Sequence, residues 1–396
     1  MLAPNEIIYL DNNATTQLDP AVREEMLPFL TSYYGNPSSG YRFGMQVRSA
    51  LDLARERVAA LLGCAPGEIV FTSCGTEASN TAISSALQLS PERQHVVTTA
   101  VEHSATLRFC EQLASRGTQV TFVGVDAEGN VDLGAFEAAI RPETAIVSVM
   151  WANNETGVLF PVEKMAEIAR RKRVLFHVDA VQAAGKVPID AAKLPLNFVS
   201  VSAHKMHGPK GVGALYINRR TAFRPMLLGG GQEDGRRGGT ENVASIVGFG
   251  KAAELAIGGI QEQQTRVRSM RDRFEGSLLH DVAGAVINAA GAERLPNTSS
   301  ISFPGIEADA ALLLLDQQRI CCSAGSACRT GSLEASHVLR AMKLSEERMR
   351  GTLRFSLGRF NTEAEIDRAI AIVARAVAKL RSLGGGTCEL APPAHA

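Results

Sequence analysis

The sequence predicts an α/β fold, with a large domain on a mostly parallel sheet of seven strands and a smaller α+β unit. Three observations predict it. Short apolar runs recur at 68–72, 95–99, 119–125, 145–151, 174–179, 198–202 and 213–218. Segments between several of them have helical composition, and strands alternating with helices form parallel sheets covered on both faces. The chain has 396 residues, 45% hydrophobic and 21% charged, enough for a large domain plus a smaller one.

Residues 43–62 carry Val47, Ala50, Leu51, Ala54, Val58, Leu61 and Leu62 at helical spacing, and Gly63 follows as a stop. The run 68–72 leads into Phe71-Thr-Ser-Cys-Gly-Thr76, a strand end, a glycine turn and a helix start. Helix N-termini bind phosphate, so Gly75 and Thr76 form a candidate cradle; an ordinary helix cap is the plainer reading. The run 95–99 leads to Glu102-His103-Ser104. An imidazole at a strand end can stack on a ring and move protons, although a lone histidine is usually structural. After 145–151 come Asn153 and Asn154, two amides in reach of a phenolate or a carboxylate.

The run 174–179 ends at Asp179, with Gln182 three residues on. The run 198–202 ends in Ser202-Ala203-His204-Lys205. Residues 240–279 read as one helical stretch, broken near Gly258-Gly259, that leads out of the large domain. Residues 299–303, 310–321 and 352–357 alternate strand and helix signals. The expected division is 15–258 for the large domain and 1–14 with 259–382 for the small one. Residues 383–396, rich in glycine and proline, read as a disordered tail.

Ligands of such sheets sit beyond the carboxyl ends of the strands, where Asp179 and Lys205 both lie. A lysine there suits a Schiff base with an aldehyde cofactor. A carboxylate beside it suits a pyridinium nitrogen, and together they point to pyridoxal 5'-phosphate (PLP). Gln182 could donate to the ring phenolate oxygen; the plain alternative is a capping aspartate with a surface glutamine. Small residues flank Cys328 in Cys321-Cys322-Ser-Ala-Gly-Ser-Ala-Cys328-Arg329 and predict an exposed loop able to reach a pocket. Arg329 would raise the thiolate fraction. Cys321 and Cys322 read as strand-end core thiols. Metal ligation by these three lacks a matching histidine or Cys-x-x-Cys spacing. Arg354, in phase with Ser356 and between apolar Leu353 and Phe355, fits an amino-acid carboxylate bidentately, or a plain ion pair.

Formal net charge is zero, so no field favours nucleic acid or an anionic membrane. The start, Met1-Leu-Ala-Pro-Asn-Glu, does not read as a signal peptide. The longest apolar run noted, 310–315, is too short to span a bilayer. Seven scattered cysteines fit a reduced, cytoplasmic thiol set better than a disulfide framework.

Taken together, these residues resemble the cysteine desulfurases, the NifS/IscS family of class-V aminotransferase-like PLP enzymes. The likeness runs from Tyr9-Leu-Asp-Asn-Asn-Ala-Thr-Thr16 to Arg354-Phe-Ser-Leu-Gly-Arg-Phe360. It includes Gly35-Asn-Pro-Ser-Ser39, Arg236-Arg-Gly-Gly-Thr-Glu-Asn242 and Gly331-Ser-Leu-Glu334. The resemblance implies a fold-type I (aspartate aminotransferase-like) homodimer with its active site at the subunit boundary. It implies that Lys205 bonds PLP, Asp179 pairs with the ring nitrogen, Gln182 with the phenolate oxygen, and His103 stacks on the ring. Gly75, Thr76, Ser202 and His204 would hold the phosphate, with Thr240 arriving from the partner subunit. Asn154 and Arg354 would hold the carboxylate of L-cysteine. Cys328 would take the sulfur as a persulfide and pass it to an iron–sulfur scaffold protein; it is also a candidate iron–sulfur ligand.

Val149-Met-Trp-Ala-Asn-Asn-Glu-Thr-Gly157 and Phe71–Thr76 look like the NifS branch, which serves nitrogenase clusters. A housekeeping IscS-type enzyme, a selenocysteine lyase and a sulfur carrier without PLP are the alternatives. Arg329-Thr330 departs from the Cys-Thr-Ser usual in the family, and the doubled Cys321-Cys322 is a second departure.

Overall fold

The computed structural model describes residues 6–324 and 336–383. Its strands are β1 (Ile8–Tyr9), β2 (Ile69–Thr72), β3 (His95–Thr99), β4 (Gln119–Val123), β5 (Thr144–Met150), β6 (Leu175–Asp179), β7 (Phe198–Ser202), β8 (Gly213–Ile217), β9 (Val286–Ile287), β10 (Thr298–Ser302), β11 (Ile320–Cys321), β12 (Ser323–Ala324) and β13 (Thr352–Ser356).

The seven expected runs are β2 to β8, and they form one sheet in the order β2-β8-β7-β6-β5-β3-β4. From β7 to β4 every pairing is parallel. β8 is the exception, antiparallel to both β7 and β2. The link from Ser202 to Gly213 is too short for the crossover that parallel pairing requires, so β8 returns in the opposite sense.

Both faces of this sheet are covered. Val97, Val147, Val149, Phe176, Val178, Val199 and Val201 belong to one core. The alternate positions Val96, Ile146, Phe198, Leu215 and Ile217 belong to another. Alternation of side chains along a strand sends neighbours to opposite faces. That is why the runs are continuously apolar rather than striped. Each such side chain contributes roughly 1.5–3 kcal/mol on burial.

The helix Arg42–Leu62 ends at Gly63, whose φ is 63°, the left-handed stop that glycine allows. It packs against the helix Val243–Glu262 very closely: a Cβ on Gly250 would sit 2.5 Å from Ala54 Cα, so only glycine permits this crossing. The expected break at Gly258-Gly259 is not there. The helix runs through both glycines, where an added Cβ would meet nothing. The irregularity is a π turn at Gln263–Val267 before the helix Arg268–Asp281. Glycine on an open helical face costs propensity, about 1 kcal/mol, without ending the helix. The helical stretch Val243–Asp281 contains a window that is long and apolar enough to cross a membrane by length and composition, with mean hydropathy 1.4. This corrects the expectation that no run is. It behaves as a core helix, with Ala244, Ile246, Val247, Phe249, Ala252 and Ala253 buried in the chain's interior.

A second sheet, β12-β13-β10-β9, is antiparallel, and β1 pairs in parallel with β11. Its core joins Ile8 and Leu10 to Phe274, Ile301, Phe303, Leu353, Phe355 and Ile366. The turn after β1 fastens this unit to the large sheet. Asn12 Nδ2 donates to Ser356 O at 2.9 Å, and Asn13 N donates to Ser356 Oγ at 2.8 Å. Thr16 N donates to His204 O at 3.0 Å.

Candidate active site

Asp179 and Lys205 come from adjacent parallel strands. β6 pairs with β7, and Asp179 lies opposite Ser200. One short turn, Ala203–Lys205, then sets the lysine at the β7 carboxyl end. Two residues on, His207 takes a φ of 63°. For a non-glycine residue that is strained backbone. It is held by His207 N donating to Thr16 Oγ1 at 2.7 Å and by the contact of the His207 ring with Gln17 O at 2.9 Å.

Lys205 Nζ donates to Asn13 O and, at 2.8 Å, to Ala14 O. Gln182 Nε2 donates to the same Asn13 O at 2.9 Å. The turn after β1 therefore supplies acceptors to both the lysine and the amide.

Burial pushes the Asp179 carboxyl up. The charges of His103 and Lys205 and the Val181 N–H, 2.9 Å from Oδ1, pull it back toward the ionised form. Burial pushes the His103 imidazole down, and Lys205 and His337 push the same way, against Asp179. His103 caps the helix Ser104–Ser115, with Nδ1 accepting from Ala105 N at 3.1 Å. That leaves Nε2 to carry the proton. His204 is pushed down to about 4 by burial and by Lys205, and its Nδ1 lies 3.2 Å from Thr15 Oγ1.

Gly75 opens the helix Gly75–Leu89, whose cap residue Cys74 supplies no side-chain hydrogen bond. A Cβ on Gly75 would lie 2.7 Å from Val181 Cγ2 and 3.7 Å from Ser202 Cβ. The helix start, the Asp179 turn and the end of β7 thus converge, and only a bare glycine fits between them. Thr76 is exposed there and Ser202 is buried.

Arg354, 2% exposed, arrives from β13. Its Nη1 donates to Asn154 O at 3.0 Å, and its Nη2 donates to Asp11 Oδ1 at 2.8 Å and Ser323 Oγ at 3.1 Å. Its Nε has no hydrogen-bond partner among the described residues, which leaves a buried donor for a carboxylate. Asn154 stands beside it through its backbone oxygen.

Thr240 is exposed, just before the helix Val243–Glu262. Cys328 and Arg329 lie outside the described residues, as does the expected tail except for Leu383, which ends the helix Glu363–Leu383. Cys321 and Cys322 stand at the end of β11, and burial raises both thiols. Both are free, as are Cys64, Cys74 and Cys110. Among the described residues no group of three histidine, cysteine or acidic side chains could hold a metal.

Several site residues were missed from the sequence. Asn13 and Ala14 act through backbone oxygens. Glu102, fully buried, is pushed up to about 8 by that burial. Its Oε1 accepts from Thr99 Oγ1 at 2.6 Å and Met150 N at 3.0 Å. Glu155 is pushed up to about 7 by burial and accepts from Ser336 Oγ. The neighbouring His337 reaches Glu102 O through Nε2 at 2.9 Å.

The residues present suit PLP. A buried carboxylate needs a cation opposite it, and the ring nitrogen is one. Uncapped N–H groups at Gly75 suit the phosphate. Lys205 offers an amine for the aldehyde.

The class-V aminotransferase family model ("Aminotransferase class-V") matches residues 8–369. The chain belongs to the class-V aminotransferase family, among its cysteine desulfurases. It is 52% identical to "Cysteine desulfurase NifS" of Azotobacter vinelandii, covering 95% of this chain and 94% of that one. It is 51% identical to a "Cysteine desulfurase" of Trichormus azollae over the same shares. Among solved structures, a "NIFS-LIKE PROTEIN" superposes with a TM-score of 0.88 at 38% identity, covering 94% of this chain and all of that one. The desulfurase resemblance read from Tyr9–Thr16, the lysine turn and the Arg354 strand is borne out, and so is the class-V fold.

Proposed function

We propose that this desulfurase converts L-cysteine to L-alanine on PLP and leaves the sulfur on Cys328 as a persulfide. The observation that carries the reading is the placing of Lys205 and Asp179 on adjacent strand ends, each close enough to bear electrostatically on the other and on His103. PLP, when bound, would hold the substrate nitrogen and take up the electron pair released at Cα.

The chain's own groups supply the rest. The Lys205 amine takes the Cα proton and returns it. Asp179 is the counter-ion for the ring nitrogen, and Gln182 Nε2 donates to the ring oxygen. The His103 ring stacks on the cofactor, and its Nε2 moves a proton at the leaving carbon or the incoming thiol. Gly75, Thr76, Ser202 and His204 hold the phosphate. Arg354 and Asn154 hold the substrate carboxylate, with Arg354 contributing charge-assisted hydrogen bonds.

The Cys328 thiolate attacks the substrate sulfur. An S–S bond forms, the C–S bond breaks, and the electron pair of that bond stays on carbon and is protonated. Cysteine and an enzyme thiol thus become alanine and an enzyme persulfide, with no outside oxidant. Dividing a hard transfer into two covalent steps lowers each barrier.

The working unit in this reading is a cytoplasmic homodimer, with Thr240 completing the partner's phosphate site. The acceptor is an iron–sulfur scaffold protein, and the likeness to a NifS protein supports a nitrogenase cluster as destination. Residues 15–258 act as the cofactor domain, and 1–14 with 259–382 as the unit that carries Cys328.

Absorbance of the purified protein before and after cysteine, with alanine and sulfide assayed in parallel, tests the reading. Alanine and sulfide in equal amounts without a keto acid support it. Turnover that requires a keto acid would replace it with aminotransfer.

A further inference from the structure

A second lysine is buried beside Lys205, and the chemistry above gives it no part. Lys186 is 5% exposed. Its Nζ donates to Gln182 O at 2.9 Å and to Gln182 Oε1 at 3.2 Å. Its carbonyl accepts from Gln264 Nε2 at 2.7 Å, so its backbone is held by the π turn. No carboxylate forms an ion pair with it among the described residues. The charged and titratable groups around it are Lys205, His204 and His207 from the β7 turn, Glu262 from the long helix, and Arg359 after β13. Burial first, and then the charge of Lys205, push its ammonium down to about 7. An uncompensated lysine in such a place is costly.

The Gln182 amide has one oxygen and two N–H donors. Its oxygen accepts from Lys186, and one N–H goes to Asn13 O. One N–H remains. Turning the amide over would set Oε1 against Asn13 O and its NH2 against a protonated Lys186. Two neighbours therefore hold the amide in one sense.

We propose that Lys186 is a positioning residue, which holds Gln182 Oε1 so that the remaining Nε2–H is presented to the ring oxygen of PLP. The inference rests on the PLP reading above and names what orients its phenolate partner. A donor at that oxygen favours the form without a proton. Losing the donor raises the affinity of bound PLP for a proton.

The test is a pH titration of the absorbance of PLP-loaded protein, with PLP content measured in each sample. In Lys186→Met we expect a yellow protein whose titration midpoint rises by about one pH unit, a tenfold change in proton affinity. Gln182→Leu should shift it in the same direction, and the double variant should shift no further than Gln182→Leu alone. Lys186→Gln, which keeps an N–H donor, should recover most of the shift. A yellow Lys186→Met with the unaltered midpoint overturns the inference, and so do fully additive shifts or a silent Gln182→Leu. If Lys186→Met fails to fold, Lys186→Gln decides: a midpoint near the unaltered one supports the role, and one matching Gln182→Leu refutes it. An unmodified protein that takes up no PLP would instead remove the cofactor reading itself.

Discussion

Arg354 Nη2 lies 2.8 Å from Asp11 Oδ1, so the guanidinium assigned to a substrate carboxylate is itself held by a carboxylate from the other end of the chain. Ser323 Oγ closes the triangle, donating to the same Asp11 oxygen at 2.9 Å. The fork is fixed in place, and its Nε, without a partner among the described residues, is the donor proposed for the substrate carboxylate.

Arg354→Lys keeps the charge and loses the fork. KM for cysteine should rise about 10–100-fold with a smaller fall in kcat, since a lysine has no Nε–H at that place and cannot keep the contacts to Asp11, Ser323 and Asn154 that hold the guanidinium. Asp11→Asn should raise KM about tenfold by releasing the guanidinium. Steady-state kinetics decide, and an unchanged KM in Arg354→Lys would remove the carboxylate assignment.

Cys328→Ala should abolish sulfide release, a fall of at least about 10³-fold, while the protein stays yellow. Sulfide assay and the visible spectrum check both halves. Retained turnover would dismiss this thiol as the sulfur acceptor.

Lys205→Ala should lose the covalent tie to PLP. Borohydride treatment of the unaltered protein should fix the cofactor's mass on the peptide containing Lys205, and the variant should show none. A reduced adduct on another lysine would overturn the assignment.

Two buried groups contribute to opposite limbs of the stability–pH curve. His177 lies between Ser148 Oγ and Ser200 Oγ, and burial holds it down at about 3 against an ordinary 6.5. The unfolded imidazole takes a proton first, so stability is present above about 6.5 and is lost as pH falls. Glu102 is pushed up to about 8 from 4.5. Its contribution is full below about 4.5 and is lost as pH rises through about 8. Each limb should amount to a few kcal/mol at most. Thermal unfolding from about pH 5 to 9 should show Glu102→Gln flattening the alkaline limb alone. An alkaline limb unchanged in that variant would show that Glu102 is not its source.

The large sheet was legible because its strands are buried on both faces and read as unbroken apolar runs. β1, β9 and β12 span two residues each and carry no period to detect. The antiparallel sense of β8 was written in the short link after Lys205, and the glycine pair at 258–259 misled because an open helical face tolerates glycine. Lys205 and Asp179 were readable as charged residues at strand ends, and both lie at the carboxyl edge of the sheet. Asn13 and Ala14 were not, because a backbone oxygen leaves no trace in residue type. Lys186 left a faint one: a lone lysine four residues past Gln182, among small residues.

The stitching of Asn13 to Ser356 and of Thr16 to His204 has a consequence for biosynthesis. Asn13 and Ala14 form one wall of the lysine pocket, yet Asn13 is fastened by Ser356, a residue 343 positions later in the sequence. A nascent chain stalled before residue 352 would lack Ser356, the partner that fastens Asn13 beside Lys205. The oxygens that face Lys205 are therefore fully fastened only after β13 has been made and has paired.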